Sequence, residues 1–228
     1  MARLRRRSAC SRRQLLGGLG AFVVGGRVEA AFAEAAPARG RVAIVPLGAV
    51  PALEVNVVQS ALLAFYALDV GAVAAQALPR SAFYPKRGRY RAERLLSELE
   101  HQDATALRVL GLASVDISTT KGKVEDWGIL GLASLDGRVG VLSSFRCRRG
   151  ARSAEQIAHR LGKTAVHELG HTFGLEHCPN AGCLMRDGRG SVFTTDGDYD
   201  LCADCREKLR SRELLVQPPR EPPWPRPA

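Results

Sequence analysis

The stretch from His167 to His177 constrains this chain more than any other, because His167, Glu168, His171, Gly174 and His177 follow the pattern HExxHxxGxxH. At about 100° per residue, His167 and His171 stand one turn apart on a single helix face, where two imidazoles can take one ion. Were the helix to continue, His177 would fall about 240° further round, so the helix has to stop between them. Gly174 is the residue that can stop it, since glycine enters the left-handed region without a Cβ penalty, and the turn then swings His177 back as a third ligand. Three neutral imidazoles leave the fourth tetrahedral position of a zinc ion open to water. Glu168 is placed to take that water's proton. With this composition the five fixed positions coincide by accident with a probability on the order of 10⁻⁵ over the chain, which makes a chance match a weak competitor.

A helix carrying this motif needs a start, and Ser153 followed by Gln156 supplies a capping-box pattern, predicting a helix that runs from there to Gly174. His159 shares a broad face with His167 but reads as a packing or surface residue. Upstream, the patterning predicts strands over 41–47, 70–78, 107–117 and 128–135, and helices over 53–68 and 91–100, the second with Leu95, Leu96 and Leu99 inward. Residues 79–88 read as loop. Asp136 and Gly137 mark a turn after which 139–145 returns as a hairpin partner at the sheet's edge. If that edge borders the cleft, it could hold a peptide by strand addition. The fold class expected is α/β: a mixed twisted sheet, a long active-site helix and a small cysteine-rich C-terminal subdomain.

Cys178, Cys183, Cys202 and Cys205 follow the third histidine directly, the last two as a Cys-Ala-Asp-Cys knuckle. Four thiolates at such spacing suit a closed structural zinc. In an exported protein, disulfides Cys178–Cys183 and Cys202–Cys205 are the rival reading, and the knuckle spacing favours zinc. Cys147, between Arg146 and Arg148, reads as an inert thiol, although basic neighbours would make it oxidation-sensitive if exposed.

The 228 residues, 46% hydrophobic, suffice for one well-buried core with a smaller subdomain. The net charge of +10 is unevenly spread: seven arginines against Glu29 lie within residues 1–33, leaving +4 to the rest. Residues 1–33 read as an export signal, with a basic start, a short apolar run and the small-residue site Ala31-Phe32-Ala33. Ser11-Arg12-Arg13-Gln14-Leu15-Leu16 resembles the twin-arginine signal that carries folded proteins across the membrane. The segments expected are therefore the signal (1–33), a catalytic subdomain (34–177), a subdomain with the cysteine site (178–216) and a proline-rich disordered tail (217–228). A final helix is expected over 203–215, with Trp224 solvated in the tail.

The motif, together with Cys178, Cys183, Met185, Cys202 and Cys205, resembles the archaemetzincins, metzincin-like zinc peptidases. The resemblance implies one catalytic and one structural zinc, with Met185 as an apolar floor beneath the imidazoles. It implies a peptide substrate, short peptides being favoured and aminopeptidase action included. On this reading the protein is a monomer, exported to the periplasm or beyond, meeting the export machinery transiently and no nucleic acid. The alternatives are a zinc-stabilised binding protein of weak or no activity and a zinc amidase acting on cell-wall material.

Overall fold

The structure is a computed structural model that describes residues 40–226; the expected export signal lies outside the described residues. The chain enters as β1 (Arg41–Leu47) and α1 (Ala52–Phe65), then β2 (Asp69–Ala72), β3 (Phe83–Tyr84), β4 (Arg89–Arg91) and α2 (Ala92–Leu99). It continues as β5 (Arg108–Ala113), β6 (Ile117–Lys121), β7 (Val124–Ile129), β8 (Gly131–Ala133) and β9 (Val139–Ser143). Three helices complete it: α3 (Ala154–Thr172), α4 (Val192–Gly197) and α5 (Ala203–Arg210).

The main sheet has the order β2-β1-β5-β9-β8, parallel except for β8, which runs antiparallel to β9. Its central strands read as unbroken apolar runs because both faces are covered, as parallel sheets require. Val42, Ile44, Leu110, Leu112 and Leu142 face the core shared with α1 and α3. On the other face, Ala43, Val45, Val109, Val139 and Val141 meet Leu95 and Leu99 of α2; Leu96 is only half-buried. A second sheet, β3-β4-β6-β7, stands apart from the first.

Several expected strands are corrected by this topology. The run over 107–117 divides into β5 and β6, and the run over 128–135 divides into β7 and β8, each pair split between the two sheets. Apolar periodicity marks strand character but not sheet membership, and the corner is set by Asp116, whose carboxylate binds Arg89 at 2.8 Å and Arg146 at 2.7 Å. The edge strand is β8 and not 139–145: β9 is buried along its whole length between β5 and β8.

The C-terminal third departs further from expectation. Helix α5 ends at Arg210, where the Leu214 amide closes back on the Leu209 carbonyl at 3.0 Å and Glu213 takes φ 57°. Leu215 then bridges to Tyr66. The tail is not a disordered appendage: Trp224 is only 5% exposed, stacks on Phe65 at 5.6 Å and donates its indole N–H to the Tyr199 carbonyl at 2.7 Å. A large apolar ring with one polar atom is poorly placed in water when a hydrophobic shelf and an acceptor stand within reach. The expected boundary at 177/178 is likewise absent as a division between compact units; the described residues belong to one. No helix among them is long and apolar enough to cross a membrane.

Candidate metal centre

Helix α3 begins where the sequence predicts, the Ser153 hydroxyl accepting the Gln156 amide at 3.1 Å. Most of its second half is buried against the sheet and α1, and the Tyr66 hydroxyl fixes its course by donating to the Val166 carbonyl at 2.9 Å. It ends at Thr172, and Gly174, with φ +80°, makes the turn that follows. The Gly174 amide reaches the His171 carbonyl at 2.9 Å and the Leu175 amide the Gly170 carbonyl at 3.0 Å. From the β8–β9 hairpin, the Asp136 amide also donates to the His171 carbonyl at 2.9 Å, and Arg212 donates to the Phe173 carbonyl at 3.0 Å. The turn is thus tied from two directions before His177.

This turn brings the three imidazoles together, each offering a nitrogen within 4.8 Å of the others. The ring centre of His177 lies 5.5 Å from that of His167 and 4.9 Å from that of His171. His167 donates Nδ1–H to the Leu184 carbonyl and His171 donates Nδ1–H to the Leu175 carbonyl, both at 2.6 Å. A carbonyl only accepts, so each Nδ1 carries the proton and each Nε2 presents a lone pair. Those two Nε2 atoms face each other at 3.0 Å. Two lone pairs at that distance repel unless a cation takes both, and a tetrahedral zinc would space two imidazole nitrogens about 3.4 Å apart. Protonation does not relieve the contact, because burial, reinforced by His171, pushes His167 down to about 3. The residues present fit a zinc ion.

Glu168 is 4% exposed, and burial pushes its carboxyl up to about 8. Its side chain lies flat on Gly131 of β8, where a Cβ would come within 2.6 Å of the Glu168 Cδ. Beneath the helix, Met185 is wholly buried, its sulfur 2.7 Å from the position a Cβ on Gly170 would take. Gly131 and Gly170 are thus required by close approach, and sequence reasoning missed both; their only signal is a glycine inside a strand or helix pattern. It also missed the carbonyls of Leu175 and Leu184, which leave no mark in a sequence. A cleft of about 510 Å³ opens over the centre, walled by β8 on one side and by Leu184 and Arg186 on the other.

Cys178, Cys183, Cys202 and Cys205 form the second cluster, their sulfurs within 4.8 Å of one another and all free thiols. Cys178 and Cys202 are 3.6 Å apart and Cys183 and Cys205 are 3.8 Å apart; four thiolates around a zinc stand about 3.8 Å apart. Although burial opposes it, the Cys205 backbone amide and the Asn180 side chain bring Cys202 down, while burial and the neighbouring thiols push Cys183 and Cys205 up, so among these three thiols only Cys202 leans towards the thiolate before a cation enters. The cluster connects to the histidines through Leu184, which sits between Cys183 and Met185, donates its amide to the Asp200 carbonyl at 2.9 Å and orients His167 through its own carbonyl. Cys147 is fully buried and pushed up to about 12 by that burial, and His159 pairs with Glu155 at 3.7 Å.

A mixed α/β fold that presents three imidazoles and a carboxylate in one cleft defines a metallohydrolase. The model of peptidase family M54 matches residues 52–211. An archaemetzincin of Haloquadratum walsbyi is 32% identical over 173 residues, 73% of this chain and 97% of that protein. The crystal structure of archaemetzincin from Methanopyrus kandleri matches with a TM-score of 0.65 at 30% identity, over 75% of this chain and 94% of that one. That from Archaeoglobus fulgidus, complexed with malonate, matches with a TM-score of 0.64 at 30% identity, over 74% of this chain and 99% of that one. The chain belongs to peptidase family M54 and is a zinc metallopeptidase.

Proposed function

We propose that His167, His171 and His177 hold a catalytic zinc, that Cys178, Cys183, Cys202 and Cys205 hold a structural one, and that Glu168 is the general base for peptide-bond hydrolysis. When bound in the three-histidine site, zinc supplies a Lewis acid that polarises a carbonyl and acidifies a water molecule. Everything else falls to the chain. Glu168 takes the proton of the attacking water on a carboxylate oxygen and delivers it to the leaving amine. Its seat on Gly131 supports that role, because it holds the carboxyl on the lining of the cleft with little water to compete for it. The outer edge of β8 takes the substrate as an added strand, which sets the peptide across the cleft beside Glu168. Met185 floors the imidazoles through Gly170.

The observation that carries this reading is the pair of Nε2 lone pairs meeting at 3.0 Å beside a buried glutamate. Export in folded form, through the twin-arginine-like segment, suits a monomer that carries its metals before it leaves the cell. Glu168→Gln should leave the metal content unchanged and lower peptide cleavage by about 10²–10⁴-fold. Unchanged cleavage would remove Glu168 from the mechanism, and loss of metal would show that the variant had changed the site itself.

A further inference from the structure

Beside the cleft lies a second cavity, of about 470 Å³, lined by Arg87, Arg89, Arg146, Arg149 and Arg189. We propose that this cavity is a docking site for an acidic stretch of the peptide substrate, several residues away from the bond that is cut. The proposal rests on the peptidase reading above and assigns the substrate class that the reading leaves open.

Three carboxylates serve these five guanidinium groups, Asp187 acting electrostatically on Arg189. Asp126 meets Arg87 at 3.0 Å and Arg89 at 3.3 Å, while Asp116 meets Arg89 at 2.8 Å and Arg146 at 2.7 Å. Arg149 and Arg189 make no salt bridge with a described residue, and both are exposed. The five guanidinium groups therefore carry a surplus of two positive charges over the carboxylates beside them. Arg146 lies flat on Gly128, filling the space that any side chain there would need. Arginines held in place before the ligand arrives lose little freedom on binding, and their forked donors match carboxylates. Trp127 and Phe193, 36% and 65% exposed, supply apolar contact for the stems of acidic side chains.

Position argues for a peptide. Trp127, Arg189 and Gly190 line both cavities, so the arginine site continues the cleft. From Gly131, against which Glu168 lies, the chain reaches Trp127 in four residues, at most about 14 Å of extended backbone. An extended substrate covers the same distance in about four residues, which places its acidic stretch about four to seven positions from the cut bond. A nucleic acid would need phosphate contacts along a track, whereas these arginines line one concavity.

The test uses the full zinc-loaded Glu168→Gln protein and two fluorescein-labelled peptides that share one core and carry four Glu or four Gln at those positions, at either end. Anisotropy should show the Glu peptide binding about tenfold tighter in low salt, with the advantage shrinking as salt is added. Arg149→Glu, alone and with Arg87→Gln, should abolish the advantage and leave binding of the Gln peptide unchanged; neither residue lines the catalytic cleft. Equal binding of the two peptides, an advantage that survives both substitutions, or tighter binding of a single-stranded oligonucleotide would overturn the proposal. Cleavage of the same peptides by the unsubstituted protein is scored separately, and absence of all cleavage counts against the peptidase reading while the anisotropy still decides the docking site.

Discussion

Replacing Gly131 by alanine should separate the seat of the proposed general base, Glu168, from the three-histidine site. A Cβ at this position would lie 2.6 Å from both Cγ and Cδ of Glu168, whereas non-bonded carbons settle at about 3.5–4.0 Å. One partner has to retreat by about 1 Å, and the β8 backbone is held by its pairing to β9. The far end of the glutamate side chain moves instead. That movement costs the fold about 1 kcal/mol, a shift of about 2–4 °C in Tm for a domain of this size. It costs the reaction more, because a misplacement of 1 Å in a reacting group is worth about 10²-fold in rate. The histidines are untouched, since His167 and His171 are oriented by the carbonyls of Leu184 and Leu175. The assay is kcat and KM on a quenched-fluorescence peptide, with zinc content measured on the same preparation. A fall in kcat of about 10²-fold at unchanged zinc content and near-normal KM is expected. If Gly131→Ala keeps its metal and a kcat within twofold of the unsubstituted protein, Glu168 either does not work from this seat or does not carry the proton.

Gly174→Ala forces a side chain into the left-handed region at φ +80°, at about 1–2 kcal/mol, and should weaken zinc at the histidines while leaving the cysteine-bound ion; metal analysis after graded chelation reads the difference. If the four cysteines hold the proposed structural zinc, Cys202→Ser should remove that equivalent and, by loosening the loop that carries Leu184, lower the affinity of the three-histidine site for its own. Trp224→Ala should lower stability by about 3 kcal/mol in chemical denaturation, whereas a solvated tryptophan would leave it unchanged. Asp196 pairs with the buried guanidinium of Arg160 at 2.6 Å, and that hydrogen bond holds its carboxyl below the ordinary range. Its contribution is complete above about pH 4 and is lost as pH falls through the depressed value; Asp196→Asn should therefore flatten the acid side of a plot of stability against pH.

What could be read in the sequence was local. The motif specifies its own geometry, because helical phase joins His167 to His171 and a glycine of positive φ lets His177 return. The Ser153 cap and the β8–β9 hairpin turn are equally short-range. Failures arose where meaning depends on distant partners. The run over 107–117 is mostly apolar, yet its two ends serve different sheets, and the corner is marked only by Asp116 meeting arginines 27 and 30 residues away. Whether 131–133 or 139–145 is the edge depends on β9 pairing with β5, a parallel contact that alternation cannot reveal. The arginine cavity is hidden for the same reason: no short segment contains a basic and aromatic stripe, and its residues come together only in the folded chain.

The same dependence explains why the cysteine-rich segment is not a subdomain of its own. Had it been a separate module, its metal cluster would have stabilised only itself. Instead Leu184 stands between a candidate ligand of one cluster, Cys183, and the residue beneath the other, Met185, and its carbonyl fixes the ring of His167. Cys178 directly follows His177 and anchors its amide on the Met185 carbonyl at 2.8 Å. Both ends of the three-histidine set are therefore held by backbone that the four cysteines gather. Because a closed four-thiolate site has no position to open, it is suited to rigidity and not to chemistry. On the proposed assignment the chemistry falls to the histidine set, whose third member comes from a loop and so benefits most from having that loop pinned next to His177.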